Sequence, residues 1–141
     1  MAATPRSILG LDVGARRVGV AVASLASRLP RPLTTLTRDD DFFTALQALI
    51  ESEAASALVV GLPRNLDGQS TEQTKATEVF TAELRGRCHL PVHFQDESVT
   101  SKQAEAELEA RGKPYVRGDI DALAATYILE DFLAENREPA N

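Results

Sequence analysis

The sequence predicts an α/β fold in which helices cover the faces of a mixed sheet, and three observations carry that expectation. Two runs of apolar and small residues, Ile8–Val13 and Val18–Ala23, flank a tight basic turn at Ala15-Arg16-Arg17, the pattern of a β-hairpin. Ala57-Leu58-Val59-Val60-Gly61-Leu62 is a continuous apolar run closed by Pro63, as expected of a central strand buried on both faces. Elsewhere apolar residues recur at helical rather than alternating spacing.

Taken in order, residues 1–6 read as a tail and the hairpin strands run near 7–13 and 17–24. Leu29-Pro30-Arg31-Pro32 breaks the pattern, and Leu33-Thr34-Thr35-Leu36-Thr37 has the composition of a third strand. Asp39, Asp40 and Asp41 stand where negative charge favours a helix start, and Phe42, Phe43, Leu46, Leu49 and Ile50 place a helix over about 41–54. The central strand follows, then a loop of turn residues, Pro63 to Gln69. Ser70 and Gln73 match a capping box for a helix reaching Arg85, with Gly86 as its stop. Pro91–Gln95 is a fifth strand leading into Asp96-Glu97. Thr100 and Gln103 match a second capping box for a helix to Arg111-Gly112, and a final helix spans about 120–135. The order is βββαβαβαα, with no internal repeat and no linker, so residues 1–141 are expected to form one domain with 136–141 as a second tail.

The chain of 141 residues is long enough to bury a core without disulfide or metal staples. One cysteine, Cys88, excludes an internal disulfide framework and a multi-cysteine metal site. No apolar run approaches the roughly 20 residues of a membrane helix, and no secretory signal core is present, so a cytoplasmic location is expected. The net charge of −6 argues against a uniformly basic nucleic-acid binder, but its distribution is uneven. Residues 1–38 carry six Arg against one acid, Asp12, whereas residues 39–141 carry nine basic and 20 acidic residues. The hairpin end is therefore locally cationic on an acidic body, suited either to attracting phosphate or to protecting sheet edges.

Three positions carry candidate chemistry. Asp12 interrupts an apolar strand, and a buried ionised carboxylate is costly unless a hydrogen-bond network, a metal ion or a metal-held phosphate compensates it. Asp96-Glu97 ends the fifth strand, where ligands gather in open α/β sheets, although acids there also serve the N-terminus of a following helix. Asp121 shares a helical face with Ala124, Ala125, Ile128 and Leu129, an unusual place for a surface charge, while Asp119 reads as the N-cap. Three such carboxylates would make a hard-oxygen site for Mg²⁺ or Mn²⁺, the ions that serve phosphodiester hydrolysis. His89 and His93 read as structural, and neither a Gly-x-Ser-x-Gly elbow nor a Walker loop is present.

Over roughly residues 7–134 the chain resembles the YqgF/RuvX family of bacterial RNase H-like proteins, labelled Holliday-junction resolvases or pre-16S rRNA nucleases. Gly10-Leu11-Asp12-Val13-Gly14 with Arg17-Val18-Gly19-Val20-Ala21 resembles the opening motif of that family. Val60-Gly61-Leu62-Pro63-Arg64-Asn65-Leu66-Asp67-Gly68 resembles its central Gly-Leu-Pro signature, the most specific of the set. Asp96-Glu97 resembles the start of an Asp-Glu-Arg motif, and Asp121-Ala122-Leu123-Ala124-Ala125 resembles the final Asp and its alanine-rich helix.

The resemblance implies an RNase H-like fold with a five-stranded mixed sheet, its first three strands antiparallel, and a carboxylate-bound Mg²⁺ or Mn²⁺. It implies Asp12, Glu97 and Asp121 as catalytic metal ligands, with Glu97 rather than Asp96 facing the site because neighbours on a strand point opposite ways. Arg16, Arg17, Arg64 and Arg117 are then the candidate phosphate contacts. Ser98 stands where the family usually has Arg, and Asp119 near where a basic residue is common. The expected partner is nucleic acid, pre-rRNA or branched DNA, with no membrane. Junction resolution needs two coordinated sites and so implies a homodimer. The rival from another class is an rRNA-binding ribosome-assembly factor with little catalysis. An actin-like ATPase, which closes two domains over its nucleotide, does not fit the length.

Overall fold

The computed structural model of the chain describes residues 6–65, 67–97, 106–112 and 116–136. Five strands form one mixed sheet: β1 (Ser7–Val13), β2 (Arg17–Ser24), β3 (Arg31–Thr37), β4 (Ala55–Pro63) and β5 (Val92–Glu97), in the order β3-β2-β1-β4-β5. β1 pairs antiparallel with β2, and β2 with β3, whereas β4 runs parallel to both β1 and β5. The helices are α1 (Phe42–Ser52), α2 (Glu72–Arg87), a short described stretch at 106–110 (α3) and α4 (Arg117–Glu135).

Alternation along the strands divides the sheet into two chemically different faces. Leu9, Leu11, Val18, Val20, Leu58 and Val60 pack beneath α1 and α2 with Phe42, Leu46, Phe80 and Leu84. The other face is smaller in its side chains: Ile8, Ala21, Ala23 and Val59 meet Ala125, Ile128, Leu129 and Leu133 of α4. Small residues bring α4 close. A Cβ on Gly10 would stand 3.0 Å from the Ala125 carbonyl oxygen, and one on Gly19 only 2.0 Å from that of Asp121. The alanine-rich helix therefore lies with its backbone almost on the sheet.

Several element boundaries differ from those expected. β3 begins at Arg31, so Pro32 lies inside it; β3 is an edge strand, whose outer side needs no backbone donor. The capping box of α2 is Thr71 with Thr74, not Ser70 with Gln73. Thr71 donates its N–H to Thr74 Oγ1 at 2.9 Å, and Thr74 N–H returns to Thr71 Oγ1 at 3.2 Å. Thr74 is fully buried and its hydroxyl also donates to the Pro63 carbonyl, which anchors the box one residue later. Ser70 instead accepts from Arg64.

Gly86 does not end α2, which continues to Arg87, where Cys88 donates its N–H to Leu84 O. Buried Leu84 keeps that last turn docked. α1 is shorter at both ends than expected, and α4 starts three residues earlier. Asp119 is consequently not its N-cap but its third residue, accepting from Val116 N–H at 3.0 Å. The expected capping box at Thr100 and Gln103, Ser98, and the tails at 1–5 and 137–141 lie outside the described residues.

Candidate active site

β5 extends two residues beyond the expected Gln95 and takes Asp96 and Glu97 into the sheet, which fixes their directions. In the β4–β5 register Gly61 stands beside Gln95 and Pro63 beside Glu97. A Cβ on Gly61 would collide with Ile128, so Gly61 and its partners on alternate positions face α4. Glu97 thus belongs to the α4 face. Asp96 points the other way, is 67% exposed and pairs with Arg64 Nε at 3.0 Å.

Asp12 shares the α4 face with Ile8 and Gly10 and lies directly opposite Gly19 in the antiparallel ladder. Asp121 sits with its carbonyl against that same Gly19, so the first turn of α4 delivers a second carboxylate beside Asp12. The electrostatics agree. Burial, followed by the charge of Asp121, raises the Asp12 carboxyl from 3.8 to about 7.

Glu97 is raised further, from 4.5 to about 9. Burial contributes most, then a hydrogen bond and the charge of Asp131, then the charges of Glu135 and Asp12. Asp12 therefore stands electrostatically between Asp121 and Glu97, coupled to both. The Glu97 Oε1 atom is buried with no hydrogen-bond partner among the described residues.

Asp131 and Glu135 were not expected here. They stand four apart on the last helix, hence on one face, and that pair of acids was the available signal. Glu135 accepts from Gln95 Nε2 at 2.9 Å, so the far end of α4 lies across β5. His93 packs its ring against Phe132 at 5.5 Å and Cys88 caps α2, so both have structural roles.

The candidate cations separate into two groups. Arg17 Nε donates to Asp121 Oδ2 at 2.7 Å, and Arg64 binds Asp96 and Ser70 on the opposite face. Arg16 is exposed in the hairpin turn, and Arg117 opens α4, with its side chain outside the described set. Arg38, which the sequence did not single out, donates Nη1 to Gly14 O at 2.8 Å and lies 5.0 Å over the Phe80 ring. It adds a positive charge beside the turn that follows Asp12.

Whether these residues suit a divalent ion can be judged from their own state. The donors are carboxylate oxygens, the class that Mg²⁺ and Mn²⁺ prefer. An orphaned, buried oxygen on Glu97 and two carboxyls held far above their ordinary range mark a place short of positive charge. The donor chemistry fits a hard dication. Among the described residues, however, no three acidic, His or Cys side chains are already gathered as a coordination shell, and one oxygen of Asp121 is held by Arg17.

A mixed sheet of this order, with helices on both faces and carboxylates at the carboxyl ends of β1 and β5, defines an RNase H-like domain. The chain belongs to the RuvX family, described as Holliday junction resolvase, which it matches over residues 6–135. Its relatives include proteins named "Putative pre-16S rRNA nuclease" from Azotobacter vinelandii, 38% identical over 93% of this chain and 95% of the relative, and from Synechococcus elongatus, 39% identical over 93% and 91%. The family is one of nucleic-acid-hydrolysing enzymes. Among solved structures, the Fowlpox virus resolvase in complex with Holliday junction DNA has a similar fold, with a TM-score of 0.50 at 10% identity over 94% of this chain and 99% of that one. Among the described residues no helix is long and apolar enough to cross a membrane.

Proposed function

We propose that this protein is a divalent-metal-dependent endonuclease acting on structured nucleic acid, with 5′-end processing of pre-16S rRNA as its cellular role. Asp12, Glu97 and Asp121 are its catalytic carboxylates and the ligands of Mg²⁺ or Mn²⁺. The observation that carries the reading is the coupled series Asp121, Asp12, Glu97 on one face of the sheet, with Asp12 raised to about 7 and Glu97 to about 9. Carboxyls that repel one another, one of them with an unpartnered buried oxygen on Glu97, are stabilised as anions by a cation. When bound, a divalent ion supplies an activated water and stabilises the leaving oxygen of the phosphodiester.

The chain's own residues do the positioning. β1 holds Asp12 rigidly between two paired strands, Gly19 sets the depth of Asp121, and β5 turns Glu97 inward. Arg16, Arg17, Arg64 and Arg117 contact the phosphate backbone. Arg17 and Arg64 are in partly exposed ion pairs, which are worth little and exchange readily for phosphate. The names of the curated relatives support the RNA role. The family description favours a second reading, resolution of branched DNA by a homodimer. The site of action is the cytoplasm.

Cleavage of a pre-16S rRNA fragment and of a four-way DNA junction, with Mn²⁺ or Mg²⁺, tests this. Asp12→Asn should lower metal-dependent cleavage by roughly 100-fold or more, the scale for losing a group that stabilises transition-state charge. Glu97→Gln should behave alike and Asp96→Asn should retain cleavage. Undiminished cleavage by Asp12→Asn overturns the assignment. RNA binding that survives Asp12→Asn in a protein with no metal-dependent turnover would make the chain an assembly factor instead.

A further inference from the structure

We propose that Arg17 is a resident competitor for the divalent ion at Asp121 and that, once displaced, it becomes a phosphate-binding group, so that metal binding and nucleic-acid binding are coupled through one side chain. The inference rests on the metal reading above and goes beyond it by assigning a device to a residue that is not itself a ligand.

Arg17, Gly19 and Ala21 alternate along β2 onto the face covered by α4, so Arg17 is aimed at the site by the same parity as the glycine beneath Asp121. Its Nε lies 2.7 Å from Asp121 Oδ2. Its backbone is fixed: the carbonyl accepts from Gly14 N–H at 2.8 Å and the residue pairs with Thr37 of β3. Only the side chain is free to change partner. The carboxylate of the pair is 18% exposed and the Arg17 side chain 36%, so the guanidinium has solvent on its outer side into which it can swing.

The alternatives for Asp121 are mutually exclusive in charge. Without a dication, the charge of Asp121 disfavours ionisation of Asp12, and the Arg17 guanidinium, 2.7 Å from Asp121, relieves part of that repulsion. With a dication on Asp12 and Asp121, a neighbouring guanidinium is repelled by the ion and attracted by a phosphate anion. Arginine suits the second role because its planar fork matches phosphate bidentately, and among the described residues Nε is the one side-chain nitrogen of Arg17 that is hydrogen-bonded. Linkage then requires reciprocity: the ion raises affinity for nucleic acid by the factor by which nucleic acid raises affinity for the ion.

The test is calorimetric titration of Mn²⁺ into the wild-type protein, Arg17→Met, Arg17→Lys, Arg16→Met and Asp12→Asn. Arg17→Met should bind Mn²⁺ about two- to fivefold more tightly, the range for removing a partly exposed ion pair. Arg17→Lys, which keeps the charge but loses the fork, should fall between it and the wild type. Arg16→Met removes the same charge from the same turn without touching Asp121 and should stay near the wild type. Anisotropy titrations of an RNA duplex with a single-stranded flank, with and without Ca²⁺, provide the second readout. The gain in affinity on adding Ca²⁺ should be smaller in Arg17→Met than in the wild type.

Unchanged or weaker Mn²⁺ binding by Arg17→Met and Arg17→Lys overturns the inference, as does an equal gain in Arg16→Met, which would mean a general field effect. An undiminished Ca²⁺ effect in Arg17→Met overturns the transfer to phosphate. The metal reading fails separately, if the wild-type protein takes up no Mn²⁺ or if Asp12→Asn takes it up equally well.

Discussion

The carbonyl oxygen of Asp121 rests against the α-carbon of Gly19, at a separation that leaves no room for any side chain at residue 19. Gly19 is in turn the ladder partner of Asp12. The two carboxylates are thus set by one contact between a strand and the first turn of a helix, and that contact is backbone on backbone.

Gly19→Ala should therefore be more damaging than Gly61→Ala. At residue 19 the added methyl meets main chain at 2.0 Å, which cannot rotate away. At residue 61 it meets the end of the Ile128 side chain at 2.3 Å, which can. Denaturant unfolding should show a loss of about 1–3 kcal/mol or more for Gly19→Ala, the range for overpacking, and a smaller loss for Gly61→Ala. Because α4 must lift to admit the methyl, Gly19→Ala should also lose cleavage beyond its loss of stability. Equal effects at the two positions would refute the backbone contact.

Stability in the absence of divalent ions should fall as pH rises. Asp12 and Glu97 have folded-state pKa values of about 7 and about 9, above their ordinary values of 3.8 and 4.5. The folded protein then holds protons that the unfolded chain releases. Their contribution is complete below about pH 4 and is lost as pH climbs through about 7 for Asp12 and about 9 for Glu97. Thermal unfolding in a chelating buffer between pH 5 and 9 should show the decline, and Glu97→Gln should flatten its upper part. Mn²⁺ should stabilise the protein more at pH 8 than at pH 6, since ligation needs ionised carboxylates. A flat profile in the chelated wild type would contradict the coupled series.

Thr74→Ala should cost about 1–2 kcal/mol in chemical denaturation, the upper part of the range for a lost helix cap, because the Thr74 hydroxyl serves Thr71 N–H and Pro63 O from a fully buried position. Ser70→Ala should stay within about 0.5 kcal/mol of the wild type, since Ser70 is exposed and accepts a single bond from Arg64. The opposite ranking would restore Ser70 as the cap.

The hairpin around Asp12, the buried central strand and the alanine-rich last helix were all legible in the sequence, and so was the five-stranded mixed order. These features rest on apolar runs, turn residues, helical spacing and residue volume, which are local quantities. Asp12 could be singled out because a charge within an apolar run conflicts with burial wherever the strand ends up. Helix ends were less legible. Ser70 with Gln73 satisfies the local capping-box rule and Thr71 with Thr74 does not, yet the Pro63 carbonyl above buried Thr74 anchors the second.

The tertiary structure alone decided the rest of the site. Asp131 and Glu135 look like ordinary solvent-facing acids until α4 is laid across β5, where they raise Glu97. Arg17 and Arg64 are equivalent in composition, yet strand parity sends one to Asp121 and leaves the other with Asp96 on the far face. The sequence by itself determined which segments become strands and helices and that an expensive carboxylate sits in the first strand. Which charges meet was fixed by the angle and depth at which α4 crosses the sheet. That depends on contacts between residues about 100 positions apart, such as Gly19 with Asp121, which no local pattern encodes.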